Sequence, residues 1–212
     1  MPAGPDEYRF ISVNFDSRKP RADLRDHLRE TVRTSILDAA EELIAANGLH
    51  EVALAQIARR AGVAVGTLYN YFADRDAMII ELFERRRESL RPLMAAARTN
   101  GKALAFEPRL RLLMRDLLGA LESHRRFVKV AVETEYHKRS PSTTAKDLQA
   151  AFEEVVAVGV DEGVIARATA PLLTMLLAGA IKAVIMRRIA DGGDFVADAD
   201  PIVSLMLDGA RA

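Results

Sequence analysis

Residues 57–75 read Ile57-Ala58-Arg59-Arg60-Ala61-Gly62-Val63-Ala64-Val65-Gly66-Thr67-Leu68-Tyr69-Asn70-Tyr71-Phe72-Ala73-Asp74-Arg75. Two short helical segments flank a tight turn. In the first, Ile57, Ala58 and Ala61 face one side. Gly62 closes it, because glycine accepts the left-handed backbone that ends a helix. Val63 packs inward from the turn. In the second, Val65, Leu68 and Phe72 keep helical spacing and are expected in the core. That leaves Gly66, Thr67, Asn70 and Tyr71 outside and Tyr69 on the border. A surface helix ordinarily carries Glu and Lys there. This one carries a hydroxyl, an amide and two phenols, with no acid between Val52 and Ala73. The pattern is a helix-turn-helix whose second helix suits a DNA major groove.

Outward from this motif the helical signal continues. Over residues 34–46, Ile36, Leu37, Ala40, Leu43 and Ile44 recur at three- and four-residue spacing, with Asp38, Glu41 and Glu42 outside. Asn47-Gly48 ends that helix. Asp74 is placed to cap a helix running from residue 75 to about residue 97 through Met78, Ile79, Leu82 and Phe83. Pro92 lies inside it and is expected to bend it, having no N–H for the carbonyl of Glu88. Further helices are expected over 108–122, 124–137, 143–161, 169–191 and 200–207. Breaks fall at Thr99-Asn100-Gly101, Ser140-Pro141-Ser142 and Asp191-Gly192-Gly193-Asp194.

The residues Ile36-Leu37-Asp38-Ala39-Ala40, Gly48, Ile57-Ala58, Ala61-Gly62-Val63, Gly66-Thr67-Leu68-Tyr69, Tyr71-Phe72 and Asp74-Arg75 closely resemble the DNA-binding domain of the TetR (tetracycline-repressor-like) family. Two departures stand out. Ala53 and Leu54 occupy positions where the family usually opens its second helix with Thr or Ser, and Ala64 sits in the turn where Ser is frequent. Both remove hydroxyls that cap helices or touch phosphates.

The resemblance implies an all-α protein: a three-helix, helix-turn-helix DNA-binding domain over residues 30–77, then a helical ligand-binding and dimerisation domain over 78–212. Residues 1–29 form a tail or a backward extension of the first helix. It implies a homodimer that binds double-stranded operator DNA, most simply as a repressor, and is released by a small-molecule effector. The DNA-contacting candidates are Val65, Gly66, Thr67, Tyr69, Asn70, Tyr71 and Arg75. Thr67 and Tyr69 would read bases; Tyr71 and Arg75 would hold phosphates. The pocket candidates are Leu113, Met114, Leu117, Phe127, Ala131 and Met175, with Met114, Phe127 and Met175 otherwise core residues. The dimer candidates are Leu172, Gly179, Ala183, Met186, Ile202 and Met206. The residues support this pairing independently. The stretch 171–186 is apolar on nearly every side, more than one subunit's core can cover, and Gly179, Ala180 and Ala183 permit close helix approach.

Composition sets the outer bounds. The chain has 212 residues, half of them hydrophobic and 6% aromatic, with 30 basic and 30 acidic side chains. That length and composition suit a helical protein of one or two domains. Zero net charge does not announce nucleic acid, yet residues 52–75 hold Arg59, Arg60 and Arg75 against Asp74 alone. With no cysteine, disulfides, thiolate zinc sites and a cysteine nucleophile are excluded. The N-terminus lacks the apolar core of a signal peptide. The stretch 171–186 is short for a membrane span and interrupted by Lys182, so a buried helix of a cytoplasmic protein is expected.

Other readings stay open beside this one. Glu133, Glu135 and His137 invite a metal or acid–base role, but Glu135 points away from the other two on a helix, and a solvated face is the simpler account. Arg18-Lys19-Pro20-Arg21 is either a basic arm or a solvated tail. Arg85, Arg86, Arg87 and Arg91 form a solvated face paired with Glu81, Glu84 and Glu88, or touch DNA backbone. Lys182 snorkels to solvent or meets an acidic ligand. No Gly-rich phosphate loop, nucleophile elbow or metal-spaced ligand set supports an enzyme, and no cofactor is expected. A dimeric ligand-binding protein without DNA affinity is the remaining alternative.

Overall fold

The computed structural model describes residues 19–133 and 143–210, and nine α-helices with no strand among them. They are α1 (Lys19–Asn47), α2 (Leu54–Arg60), α3 (Val65–Tyr69), α4 (Arg75–Thr99), α5 (Phe106–Ser123), α6 (Arg125–Glu133), α7 (Thr143–Asp161), α8 (Ala170–Asp191) and α9 (Ala199–Ala210). A 3-10 turn at Val196–Asp198 leads into α9. Residues 1–18, Glu135, His137 and the break at 140–142 lie outside the described residues, as does the side chain of Glu133.

Two hydrophobic cores organise these helices. The first joins Ile36, Ala40 and Ile44 of α1 to Ile57, Leu68, Phe72 and the N-terminal half of α4. The second centres on α5, which packs against α4, α7 and α9. Two helices contribute to both. α4 gives Met78, Ile79, Leu82 and Phe83 to the first core and Leu90, Met94 and Ala97 to the second. α6 gives Phe127 and Val130 to the first and Val128 to the second. Phe83 and Phe127 meet edge to face with ring centroids 5.3 Å apart, a favoured aromatic geometry.

Helix ends follow local chemistry. Asp74 caps α4 as expected, its Oδ1 accepting from the Ala77 N–H at 2.7 Å. Gly62, with φ +72°, reverses the chain between α2 and α3. α5 begins earlier than the sequence suggests, because the Glu162 carboxylate accepts from the Phe106 N–H at 3.2 Å and so caps it from a distant helix end. Phe106 is fully buried, and its ring lies so close to Gly159 of α7 that an added Cβ would sit 2.8 Å from it.

The structure bears on three expectations. Of the two readings of residues 1–29, the backward extension of the first helix holds from Lys19, because residues 23–31, although all exposed, continue the helix without a breaker after Pro20. α8 is only partly buried, as expected of a stretch with more apolar surface than one subunit's core can cover. Leu173, Leu177, Ile181 and Val184 face the second core, whereas Leu172, Met175, Leu176, Gly179, Ala183 and Met186 form an exposed stripe. α8 is long and apolar enough by length and composition to cross a membrane. Finally, the arginines of α4 do more than form local pairs. Arg85–Glu81 (3.0 Å) and Arg91–Glu88 (2.7 Å) are local, but Arg85 also reaches Glu30 and Arg86 reaches Asp38 and Glu41, all on α1.

Candidate DNA-binding surface

The surface is built from α2, the turn and α3, with the middle of α1 behind them. α2 is held inward by Ile57 and Ala58, both fully buried. Its start has half a capping box: the Gln56 side chain accepts from the Ala53 N–H at 2.8 Å, but Ala53 has no oxygen to return the bond. α3 likewise starts at Ala64 without a side-chain cap. Leu68 and Phe72 anchor α3, both essentially excluded from solvent.

The outward side of α3 differs from the expectation in three residues. Val65 is not core: it opens the helix and is 40% exposed. Tyr69 is not a border residue but is 52% exposed. Tyr71 is the half-buried one. The reason lies in the backbone. α3 ends at Tyr69, and the N–H groups of Tyr71 and Phe72 both bond the Leu68 carbonyl at 3.0 Å, turning the chain back toward the core. Arg33 of α1 then donates to the Tyr71 carbonyl at 3.2 Å and stacks its guanidinium over the Phe72 ring, 5.3 Å from its centroid. Val65, Gly66, Tyr69 and Asn70 are exposed together, with Thr67 partly so.

Arg75 stands apart from that group. It is half-buried, and its guanidinium donates to the carbonyl of Leu49, tying the α1–α2 connection to the start of α4. Arg59 and Arg60 are exposed on α2, with Arg60 paired to Glu42 at 2.7 Å.

The pocket candidates are not brought together. Leu113, Met114 and Leu117 are buried in the second core. Phe127 and Ala131 belong to the first, because α6 turns that face toward α1. Met175, expected in a core, is 61% exposed on α8. A cleft of about 760 Å3 opens instead beside α4, with Leu90 and Met94 on its floor and Arg87, Arg91, Arg98 and Asp147 among its walls. Of the dimer candidates, Leu172, Gly179, Ala183 and Met186 share the exposed stripe of α8 with Lys182, while Ile202 and Met206 of α9 are partly buried.

Charge fixes how this surface is carried. Besides the Arg85 and Arg86 pairs, Arg33 meets Glu81 of α4 at 2.7 Å. The hydrogen bond from Arg85 holds the Glu30 carboxyl below its ordinary range, its own slight desolvation notwithstanding. The outer face of α1 is thereby clamped to α4, and α4 runs on into the second core.

Comparison with known proteins agrees with this geometry. Residues 36–82 match the profile of the bacterial regulatory proteins of the tetR family. A fatty acid metabolism regulator protein of Bacillus subtilis is 47% identical over 51 residues, which are 24% of this chain and 26% of that protein. The aligned segment thus spans about a quarter of that relative. Among solved structures, the fatty acid degradation regulator FadR of Bacillus halodurans superposes with a TM-score of 0.68 at 25% identity, covering 85% of this chain and 96% of that one. The transcriptional regulator FadR of Bacillus subtilis, solved in complex with stearoyl-CoA, gives 0.60 at 23% identity, covering 83% and 98%.

Proposed function

We propose that this chain, whose residues 36–82 match the bacterial regulatory proteins of the tetR family, is a cytoplasmic, homodimeric transcriptional repressor that a small molecule releases from operator DNA. The observation that carries this reading is the exposed group Val65, Gly66, Tyr69 and Asn70 on a helix locked from behind by Leu68 and Phe72. A rigid helix presenting small, aromatic and amide groups, without an acid, fits an electronegative groove. Thr67 and Tyr69 are the base-reading residues. Tyr71 lies at the edge of the contact. Arg75 contributes to it through the loop it ties as much as through charge.

The exposed stripe of α8 supports dimerisation. Leu172, Met175, Leu176, Gly179, Ala183 and Met186 recur at helical spacing, so a second copy of α8, with Ile202 and Met206 of α9 beside it, would cover them. Lys182, exposed on the same side, suits a subunit interface with a wet edge better than a bilayer. The effector enters over Leu90 and Met94, whose side chains share the second core with Leu113, Met114 and Leu117. Long-chain acyl-CoA is the first compound to test, since one protein of the same fold was solved with stearoyl-CoA.

The decisive experiment incubates the purified protein with fragmented genomic DNA and sequences what it retains. A discrete palindromic site is expected, with half-sites about 34–36 Å apart if the two helices enter successive major grooves. Affinity for that site is then measured with and without stearoyl-CoA. A second reading, a ligand-binding dimer without DNA affinity, is favoured by Ala53 and Ala64, where side-chain caps are missing. Retention of no specific fragment, with stearoyl-CoA binding by a chain that sediments as a dimer, would support that reading instead.

A further inference from the structure

The exposed N-terminal part of α1 is not accounted for by the helix-turn-helix. The first core begins at Val32 and Ile36 of α1, yet the helix starts at Lys19. The thirteen residues 19–31 therefore project as roughly 20 Å of helix beyond the packed domain. Residues 23–30 are all exposed. A helix without a buried face gains nothing from packing, so what it presents outward is its purpose or its excess.

Its sides are chemically distinct. Arg25, Arg29 and Arg33 recur every four residues and so follow one stripe, which further along the helix becomes the buried stripe of Ile36 and Ala40. Arg33 is pinned to the Tyr71 carbonyl. One turn earlier, the Arg29 guanidinium lies over the Tyr71 ring, 5.9 Å from its centroid. Arg25, a further turn out, is exposed on the same stripe. The acids Asp23, Asp26 and Glu30 fall together on the neighbouring flank by helical spacing, and Glu30 faces α4, where it is paired with Arg85. Neither Arg25 nor Arg29 forms an ion pair with a described residue. The extension thus carries Arg25 and Arg29 on the stripe that leads to Tyr71 and gathers Asp23, Asp26 and Glu30 on the flank beside it.

We propose that this extension is a second DNA-contacting element, in which Arg25 and Arg29 bind the phosphate backbone flanking the groove that α3 reads. The proposal rests on the DNA-binding reading given above. Two features make operator DNA the occupant: the stripe is continuous with the recognition surface through Tyr71, and two cationic side chains next to it stand without a carboxylate partner among the described residues. Guanidinium groups at successive helical turns match the spacing over which a groove edge offers phosphates. Phosphate contacts of this kind orient a reading head without adding sequence information.

The test uses the full-length protein and the operator recovered by genomic selection. Affinity is followed by fluorescence anisotropy across a salt series for wild type, for the double variant R25A/R29A and for R25K/R29K, with circular dichroism confirming that each is folded. Hydroxyl-radical footprints are taken for all three. For the alanine pair, the slope of log affinity against log salt should fall by about 1.8 per bound subunit, two contacts at about 0.9 each. Its footprint should lose protection at the outer flanks, and its ranking of operator variants should stay as in wild type. The lysine pair, which keeps both charges, should retain the slope. An alanine pair with wild-type slope and wild-type footprint would overturn the proposal while leaving DNA binding by α3 intact. A wild-type protein that binds no DNA overturns both.

Discussion

The two halves of the molecule cover their apolar surface differently. In the first core the helices of a single chain suffice: Ile36, Ile44, Ile57, Leu68 and Met78 are fully excluded from water. In the second, α5 is enclosed, but α8 leaves a whole side uncovered, from Leu172 to Met186, and Leu205 of α9 is 75% exposed. The apolar surface of the helix-turn-helix half is thus covered within one chain, and that of the C-terminal half is left bare along α8. A domain that must present the same shape to DNA benefits from self-sufficiency. Under the proposed function, a domain that pairs with a second copy and takes a ligand would hold its apolar surface in reserve.

The sharpest way to break this contrast is at the stripe. Gly179→Arg places a long cation where close helix approach is expected, and nothing within 4 Å obstructs it in the single chain. The subunit should stay folded while the dimer dissociates, seen as a halved mass by analytical ultracentrifugation at micromolar concentration, with operator affinity reduced at least a hundredfold. A wild-type chain that already sediments as a monomer would remove the basis of the comparison. Inside the enclosed part, Gly159→Val should act on stability instead. The Phe106 ring already occupies the space a Cβ needs, so the fold should lose about 1–3 kcal/mol, read by denaturant titration, with the dimer unaffected at low temperature.

In the first half, exposed side chains of α3 should act on recognition and the cap of α4 on stability. Tyr69→Ala removes an exposed side chain, so the melting temperature should hold while discrimination between operator variants falls by about 1–3 kcal/mol for each base that Tyr69 reads. Tyr71→Phe should leave the ranking of operator variants unchanged. If the two substitutions behave alike, the distinction drawn from their exposure is wrong. Asp74→Ala, which removes the cap of α4, should cost about 1 kcal/mol of stability, measured by denaturant titration.

The smallest effect is acid sensitivity at the base of α9. The Asp200 carboxyl is held low by its hydrogen bond from Arg115, with Arg111 adding to it, and the Asp198 carboxyl by its hydrogen bonds from Arg188. Folded values below the unfolded ones mean that this stabilisation is present above the ordinary carboxylate range and is lost as pH falls through the lowered values. Melting temperature should therefore decline on acidification, and less steeply in Asp200→Asn. An equal decline in both would assign the acid sensitivity to other carboxylates.

Much of this architecture is legible in the sequence. The helix-turn-helix, the cap at Asp74 and most helix positions follow from spacing, glycine and capping chemistry, which are local. What escapes depends on partners distant in sequence. Tyr69 and Tyr71 exchange their expected exposure because α3 stops after five residues, and no periodicity marks that stop. The bond from Arg75 to the Leu49 carbonyl engages a backbone group, which leaves no trace in side-chain pattern. The extension of α1 reads as either tail or helix because apolar periodicity starts only near Val32. Met175 reads as core because a helix that is apolar on every side gives no sign of which side is inward.

The doubled connection between the cores has a mechanical meaning. α4 crosses from one to the other, and so does α6, whose Arg125 bonds the carbonyls of Arg188 and Gly193 at the end of α8 and stacks on Phe195. Ser89 of α4 and His124, between α5 and α6, hydrogen-bond at 3.0 Å. A body resting on one strut can swing in any direction; on two it can only rock about the line through their feet. If the two halves move at all, this doubled attachment would favour rocking over free swinging. A tug on the end of α8 and a wedge beside α4 would drive that same motion, from opposite ends of one axle.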